Sequence, residues 1–144
     1  MILAQISHEE WMKDYAKDAH KSVFGDDFED FDKTLFDYAL LVIDKESNTP
    51  IVYMTVRVLN KKSVFIEYGG SFPAFRGNHK VRAALAFILD NMRDKLGIET
   101  VGFLTAQKNI KMQKMGLATG FLVTGLTMGR YGLCLEYRRN FKGE

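Results

Sequence analysis

Apolar positions along this chain change period several times, and each change marks an element. Trp11, Tyr15, Ala19 and Val23 recur at spacing four, with Met12 and Ala16 beside them, which predicts an amphipathic helix of roughly four turns. Ser7 and Glu10 form a capping box at its start, where each side chain is placed to satisfy an orphan backbone N–H, and Gly25 marks its end. Ahead of it, Met1–Ile6 reads as a short strand. Behind it, the acidic stretch Asp26–Lys33, with Phe28 and Phe31 embedded, reads as a short helix or a loop.

The period then drops to two. Tyr38–Ile43 is apolar and β-rich, Lys45–Pro50 is a turn cluster, and Ile51, Tyr53, Thr55 and Arg57 alternate with Val52, Met54, Val56 and Val58. Asn60-Lys61-Lys62 connects to a further strand, Val64–Tyr68, closing at Gly69-Gly70. These three strands predict an antiparallel meander. Helical period returns with Val81, Ala84, Leu85, Ile88, Leu89, Met92 and Leu96, stopped by Gly97. Glu99–Thr105 reads as a buried strand, Lys108–Met115 as a short helix, and Phe121–Thr127 with Leu133–Tyr137 as a final hairpin. Each helix has one apolar stripe to bury, so the pattern predicts a mixed, mostly antiparallel sheet of about six or seven strands with three or four helices on its faces.

Composition narrows this further. The 144 residues are 47% apolar with two prolines and no Ser/Gly-rich tract, which predicts one domain over 1–144 with a substantial core. No apolar run approaches a membrane span and no signal-peptide pattern opens the chain, and the lone Cys134 excludes an internal disulfide and a Cys-based zinc site. A cytoplasmic location is the expectation. The net charge of +2 conceals an asymmetry: residues 1–72 hold eight basic and thirteen acidic side chains, residues 73–144 twelve basic and five acidic. An anionic ligand on the C-terminal half and a scattered solvated surface both account for that.

Two local motifs carry a family resemblance. The first is Phe72-Pro73-Ala74-Phe75-Arg76-Gly77-Asn78-His79-Lys80-Val81, between a strand and the long helix. The second is Asn109 with Gly120-Phe121 at matching spacing. Together with the element order, they resemble the GNAT superfamily of acetyl-coenzyme-A-dependent N-acyltransferases, whose patterns are Arg/Gln-x-x-Gly-x-Gly/Ala and Asn-x-x-Ala-x-x-x-Tyr-x-x-x-Gly-Phe. The resemblance spans nearly the whole chain, and implies a GNAT-like α/β fold with acetyl-CoA as cofactor. A strand opening into a helix presents free N–H groups and the positive end of a helix dipole to an anion, so Arg76, Gly77, Asn78, His79, Lys80 and Val81 are implied around the pyrophosphate. The family's fourth strand splays from its fifth so that pantetheine pairs with backbone in the gap. By position Ser71 and Phe72 are those contacts, Gly69-Gly70 fits a bulge there, and Asn109 completes the cofactor set. His79 and Val81 stand where the family has small residues, Met112 where it has alanine, and Gly116 where it has the tyrosine that protonates the thiolate.

Acyl transfer to an amine also needs a base. Glu67, near the end of the fourth strand where many relatives keep a carboxylate, is the first candidate, against a surface glutamate or ion pair. Tyr68 is its neighbour and alternative, against a buried core tyrosine. Tyr131 is a substitute for the missing acid, against a turn aromatic. His8, His20 and His79 lack metal-ligand spacing, so no metal is expected; His20 reads as a helix-surface residue and Cys134 as a small core residue. Lys108, Lys111 and Lys114 fit the adenosine 3′-phosphate side or a solvated helix face. The acidic segment Asp26, Asp27, Glu29, Asp30 and Asp32 fits a cationic acceptor or a solvated loop.

Three functions follow. The leading one is an acetyl- or acyl-CoA-dependent N-acyltransferase acting on a small-molecule amine, a protein lysine or an N-terminal amine, with a homodimer left open by the exposed final hairpin. The alternative is a non-catalytic GNAT-like binding or structural protein, motivated by His79, Val81 and Gly116 at the motif positions; the sequence resembles the similarly degenerate GNAT-like domains among small virion proteins of tailed phages. The third, resting on Arg130, Arg138, Arg139 and Lys142, is nucleic-acid binding without a recognition motif.

Overall fold

The computed structural model describes residues 1–25, 35–129 and 132–143. Among these, seven strands form one sheet: β1 (Ile2–Ser7), β2 (Tyr38–Asp44), β3 (Thr49–Asn60), β4 (Ser63–Ser71), β5 (Thr100–Ala106), β6 (Leu122–Gly129) and β7 (Gly132–Asn140), in the spatial order β1-β2-β3-β4-β5-β7-β6. All neighbours are antiparallel except β4 and β5, which run parallel. The helices are α1 (His8–Asp14), α2 (Ala16–Phe24), α3 (His79–Asp94) and α4 (Ile110–Ala118).

The sheet separates two cores. On one face, Val81, Ala84, Ile88, Leu89 and Met92 of α3, with Met112 and Met115 of α4, cover Val42, Met54, Val56, Val101 and Phe103. On the other, Trp11 of α1 and Ala16, Ala19 and Val23 of α2 cover Ala39, Leu41 and Tyr53. The expected single N-terminal helix is broken at Tyr15 (φ −128°, ψ −38°). The reason is phase. Buried positions run Trp11, Ala16, Ala19 and Val23, a first step of five residues, so a continuous helix would rotate its apolar stripe off the sheet. The break resets it, and Tyr15 is left 40% exposed, stacked on Trp11 at 5.5 Å. Ser7 caps α1 as expected, its Oγ accepting from the Glu10 N–H at 3.2 Å.

Two boundaries move in ways that matter for the site. Strand β4 does not close at Gly69-Gly70 but continues to Ser71, because these glycines let β4 lie close to its neighbours; a Cβ at Gly69 would sit 3.1 Å from the Tyr53 carbonyl oxygen. Helix α4 runs through Gly116 to Ala118 instead of ending at Met115. The outermost strand β6 is exposed along almost its whole length, with Leu126 66% and Met128 75% accessible. No helix among the described residues is long and apolar enough to cross a membrane.

Candidate active site

The site is made by an interruption in the sheet. Strands β4 and β5 pair from Ser63↔Thr100 to Ile66↔Phe103 and no further. Beyond that point β4 continues to Ser71 against β3, and β5 continues to Ala106 against β7. The two strands therefore part, leaving backbone on both sides of an opening with no strand between. On β4 the edge can be read from hydrogen-bond alternation. Phe72 donates its N–H to the Ile51 carbonyl at 2.8 Å, and its own carbonyl accepts from Phe75 at 3.0 Å. Phe72 and Gly70 thus direct their backbone toward β3, whereas Gly69 and Ser71 direct theirs into the opening. Of the two expected backbone contacts, Ser71 lies on this edge with its carbonyl 3.4 Å from Arg76 Nε, and Phe72 has both backbone groups engaged within the chain; Gly69 also faces the opening.

Glu67 stands where the strands part. The register jumps from Thr55↔Tyr68 to Val56↔Ile66, so Glu67 is the extra residue of a β-bulge. This corrects the expectation of a bulge at Gly69-Gly70, where pairing is regular: the conformational insertion lies at the glutamate, and the glycines serve close approach. Buried Thr55 braces the bulge, its hydroxyl accepting from the Tyr68 N–H at 3.0 Å and lying 3.4 Å from the Tyr68 carbonyl. The Glu67 carboxylate is 13% exposed and lies 2.7 Å from Arg57 Nε, whose N–H is not aligned for a hydrogen bond; Arg57 also covers the Phe65 ring at 5.2 Å. The ion-pair reading of Glu67 is therefore correct as a description of its surroundings. Tyr68 is half-buried against α2, edge-on to His20 at 6.1 Å. His20 is itself buried, not a surface residue, because the break at Tyr15 turns that face of α2 inward. Behind Tyr68, the Tyr53 hydroxyl is enclosed with no hydrogen-bond partner among the described residues, and burial, with the nearby Tyr68, raises its pKa far above the ordinary range.

Replacing Thr55 with valine keeps the shape and removes the brace. The Tyr68 N–H then loses its partner in a half-buried position, a cost of about 1 kcal/mol. Denaturant unfolding of Thr55→Val is expected to show that loss; a midpoint equal to wild type would mean the hydroxyl does not hold the bulge.

The turn after β4 is largely occupied by its own chain. Pro73–Phe75 is a single 3₁₀ turn whose Phe75 enters the core, and Gly77 takes φ +77°, a left-handed conformation that glycine adopts without penalty. Asn78 caps α3, its Oδ1 accepting the Lys80 N–H at 2.9 Å, while the Val81 N–H bonds the Asn78 carbonyl at 3.1 Å. Among the described residues, no backbone acceptor outside the helix takes the N–H of Gly77 or His79 at this helix start, and the His79 side chain is exposed. Val81 points into the core. Lys80 reaches away to Asp44 (3.2 Å) and Glu46 (3.7 Å). The Ser47 hydroxyl and then Lys80 hold the Asp44 carboxyl below its usual range, and the hydrogen bond to Asp44 raises Lys80 in turn. Arg76 donates from Nη2 to the Val23 carbonyl and from Nε to the Ser71 carbonyl at 3.4 Å.

On the β5 side, Asn109 caps α4, its Oδ1 accepting from the Met112 N–H at 3.1 Å. Gly120 takes φ +90° to let the chain leave α4, and Phe121 packs edge-on to Phe103 at 4.9 Å. The Asn…Gly-Phe motif is thus read directly as scaffold. Cys134 is buried, as expected. Tyr131, Arg130 and the acidic segment Asp26–Asp32 lie outside the described residues. Sequence reasoning missed Thr55 and Arg57 as partners of the bulge, although their alternation with valines already placed both on one face of β3.

No protein-family model matches the chain, and no curated protein matches it in sequence. Solved structures do match it in shape. A spermidine N-acetyltransferase mutant from Vibrio cholerae superposes with a TM-score of 0.71 at 15% identity, covering 99% of this chain and 96% of that one. The IAA acetyltransferase from Bacillus cereus gives 0.75 at 8% identity, covering 96% and 98%. A GNAT family acetyltransferase from Elizabethkingia anophelis, solved with acetyl-CoA bound, gives 0.62 at 8% identity, covering 72% and 75%. The chain has the GNAT fold.

Proposed function

We propose that the chain is an acetyl-CoA-dependent N-acyltransferase that transfers an acyl group directly to a primary amine. The observation that carries this reading is the end of β4–β5 pairing at Ile66–Phe103, with Glu67 bulged out at the point of separation. The opening suits pantetheine: Gly69 offers its backbone groups and Ser71 its N–H along the edge of β4, and Gly77, Asn78 and His79 lie beyond them at the start of α3. Bound there, acetyl-CoA supplies an activated thioester carbonyl. Glu67 takes the proton from the incoming ammonium, directly or through water, so that the amine lone pair forms the new C–N bond as the C–S bond breaks. Tyr131 is the candidate for returning a proton to the departing sulfur.

Support for an amine acceptor comes from shape, since solved proteins of this fold act on spermidine. Spermidine is therefore the first probe. Incubation with acetyl-CoA and spermidine is expected to release coenzyme A thiol in step with acetylated amine. No release above the uncatalysed background, with spermidine or with a lysine peptide, would sink the reading.

A second reading has its own observation. Arg76, Asn78 and Lys80, three side chains at the turn expected to meet phosphate, are engaged with Val23, the α3 N-terminus and Asp44. That arrangement favours a non-catalytic GNAT-like module. Turnover abolished by Glu67→Gln would refute it.

A further inference from the structure

We infer that Arg76 is a positioning residue that fixes the end of α2 as the wall of the β4–β5 opening, and is not a ligand of the cofactor. The inference rests on reading that opening as the acyl-transfer site.

The last carbonyls of a helix have no partner within it and carry the negative end of its dipole. At the end of α2, the Gly25 N–H satisfies the Lys21 carbonyl at 2.8 Å. The Val23 carbonyl receives the Arg76 guanidinium instead. Directly beneath, the Val23 side chain rests on Gly70; any Cβ at Gly70 would collide with Val23 Cγ1. One turn earlier His20 lies edge-on to Tyr68. So α2 ends on residues 68–70, within the stretch of β4 that has lost its β5 partner.

The same guanidinium holds the Ser71 carbonyl, which faces the opening. One side chain therefore ties together the end of α2, the rim of β4 and the turn leading into α3. Arginine suits this because its planar fork carries several donors in fixed directions; a lysine ammonium on a flexible stem would hold one carbonyl at a time. Among the described residues, the two hydrogen bonds of Arg76 go to main-chain carbonyls, and neither points it at the start of α3. An amine approaching Glu67 from the α2 face passes beneath this wall. Loosening it changes how the amine is held, while Gly69 and the N–H groups of Gly77 and His79, to which Arg76 makes no hydrogen bond among the described residues, stay in place.

Arg76→Met and Arg76→Lys test this by two independent readouts. Backbone amides of residues 21–25 in Arg76→Met should exchange with deuterium about tenfold faster than wild type, with Arg76→Lys between the two. The KM for spermidine should rise about fivefold or more while kcat and the Kd for acetyl-CoA stay within about threefold. Unchanged exchange at residues 21–25 would overturn the clamp. An acetyl-CoA Kd weakened about tenfold or more would make Arg76 a cofactor ligand and overturn the inference equally. A wild type that binds no acetyl-CoA removes the proposed function, and the exchange data then decide the clamp alone.

Discussion

Placing tyrosine at position 116, where relatives keep a proton donor, is expected to unfold the protein instead of activating it. Gly116 lies inside α4 against the sheet. A Cβ there would sit 2.8 Å from Phe103 Cζ and 3.5 Å from Tyr137 Cδ1. The Phe103 ring has no room to yield, because it stacks on Tyr137 at 5.1 Å with the planes 3° apart and meets Phe121 edge-on. Even alanine should therefore destabilise: helix propensity favours it by about 1 kcal/mol, but overpacking costs typically about 1–3 kcal/mol. Tyrosine adds a whole ring, which is enough to consume most of a stability of about 5–15 kcal/mol. Thermal melts of Gly116→Ala and Gly116→Tyr check this. A Gly116→Tyr protein that melts like wild type and turns over faster would show that the position faces the opening after all.

Glu67→Gln is expected to lower kcat by about 10²-fold or more, the range over which a positioned base contributes. Glutamine keeps the size and the place on the bulge but takes no proton. The Kd for acetyl-CoA should not move, since the residues proposed to hold it are elsewhere. Stability should fall little: Arg57 is 42% exposed, so water can solvate its charge once the carboxylate is gone. A loss shared equally between kcat and acetyl-CoA binding would instead place Glu67 on the cofactor. Full activity would remove it from the chemistry and leave the ion pair with Arg57 as its whole role.

Much of the fold was legible because periodicity reports burial. The alternation from Ile51 to Val58 and the stripe from Val81 to Met92 identified β3 and α3. Helix α3 buries Val81, Ala84, Ile88, Leu89 and Met92 as its stripe demands, whereas β3, expected to be half-buried, is buried on both faces from Ile51 to Val56, because helices cover both sides of the sheet, and leaves Val58 exposed. The break at Tyr15 was not legible, because spacing four and a five-residue step share Trp11, Ala19 and Val23. Nor was the identity of the bulged residue: register is a property of two strands, and only pairing against Thr55 singles out Glu67. At the turn after β4, the sequence locates Arg76 and Lys80 along the chain but not their partners. Val23 lies 53 residues before Arg76 and Asp44 lies 36 before Lys80. Charge near a helix start says where a cation sits along the chain, while tertiary contacts decide what it neutralises. Gly116 illustrates the same limit. Against the family pattern it reads as a lost acid, and in the fold it is a position where α4 lies against Phe103 with no room for a Cβ.

The central claim is that the gap between β4 and β5 accepts acetyl-CoA along Gly69–Ser71 and the start of α3. Titrating the isotopically labelled protein with acetyl-CoA and following the backbone amide resonances tests this directly. Saturable shifts centred on Gly69, Ser71, Gly77 and His79 are expected, with lesser effects at Asn109. No shift at millimolar acetyl-CoA, or shifts confined to the separate groove of ≈380 Å³ lined by Arg82, Thr119 and Arg139 between α3 and the end of α4, would contradict it.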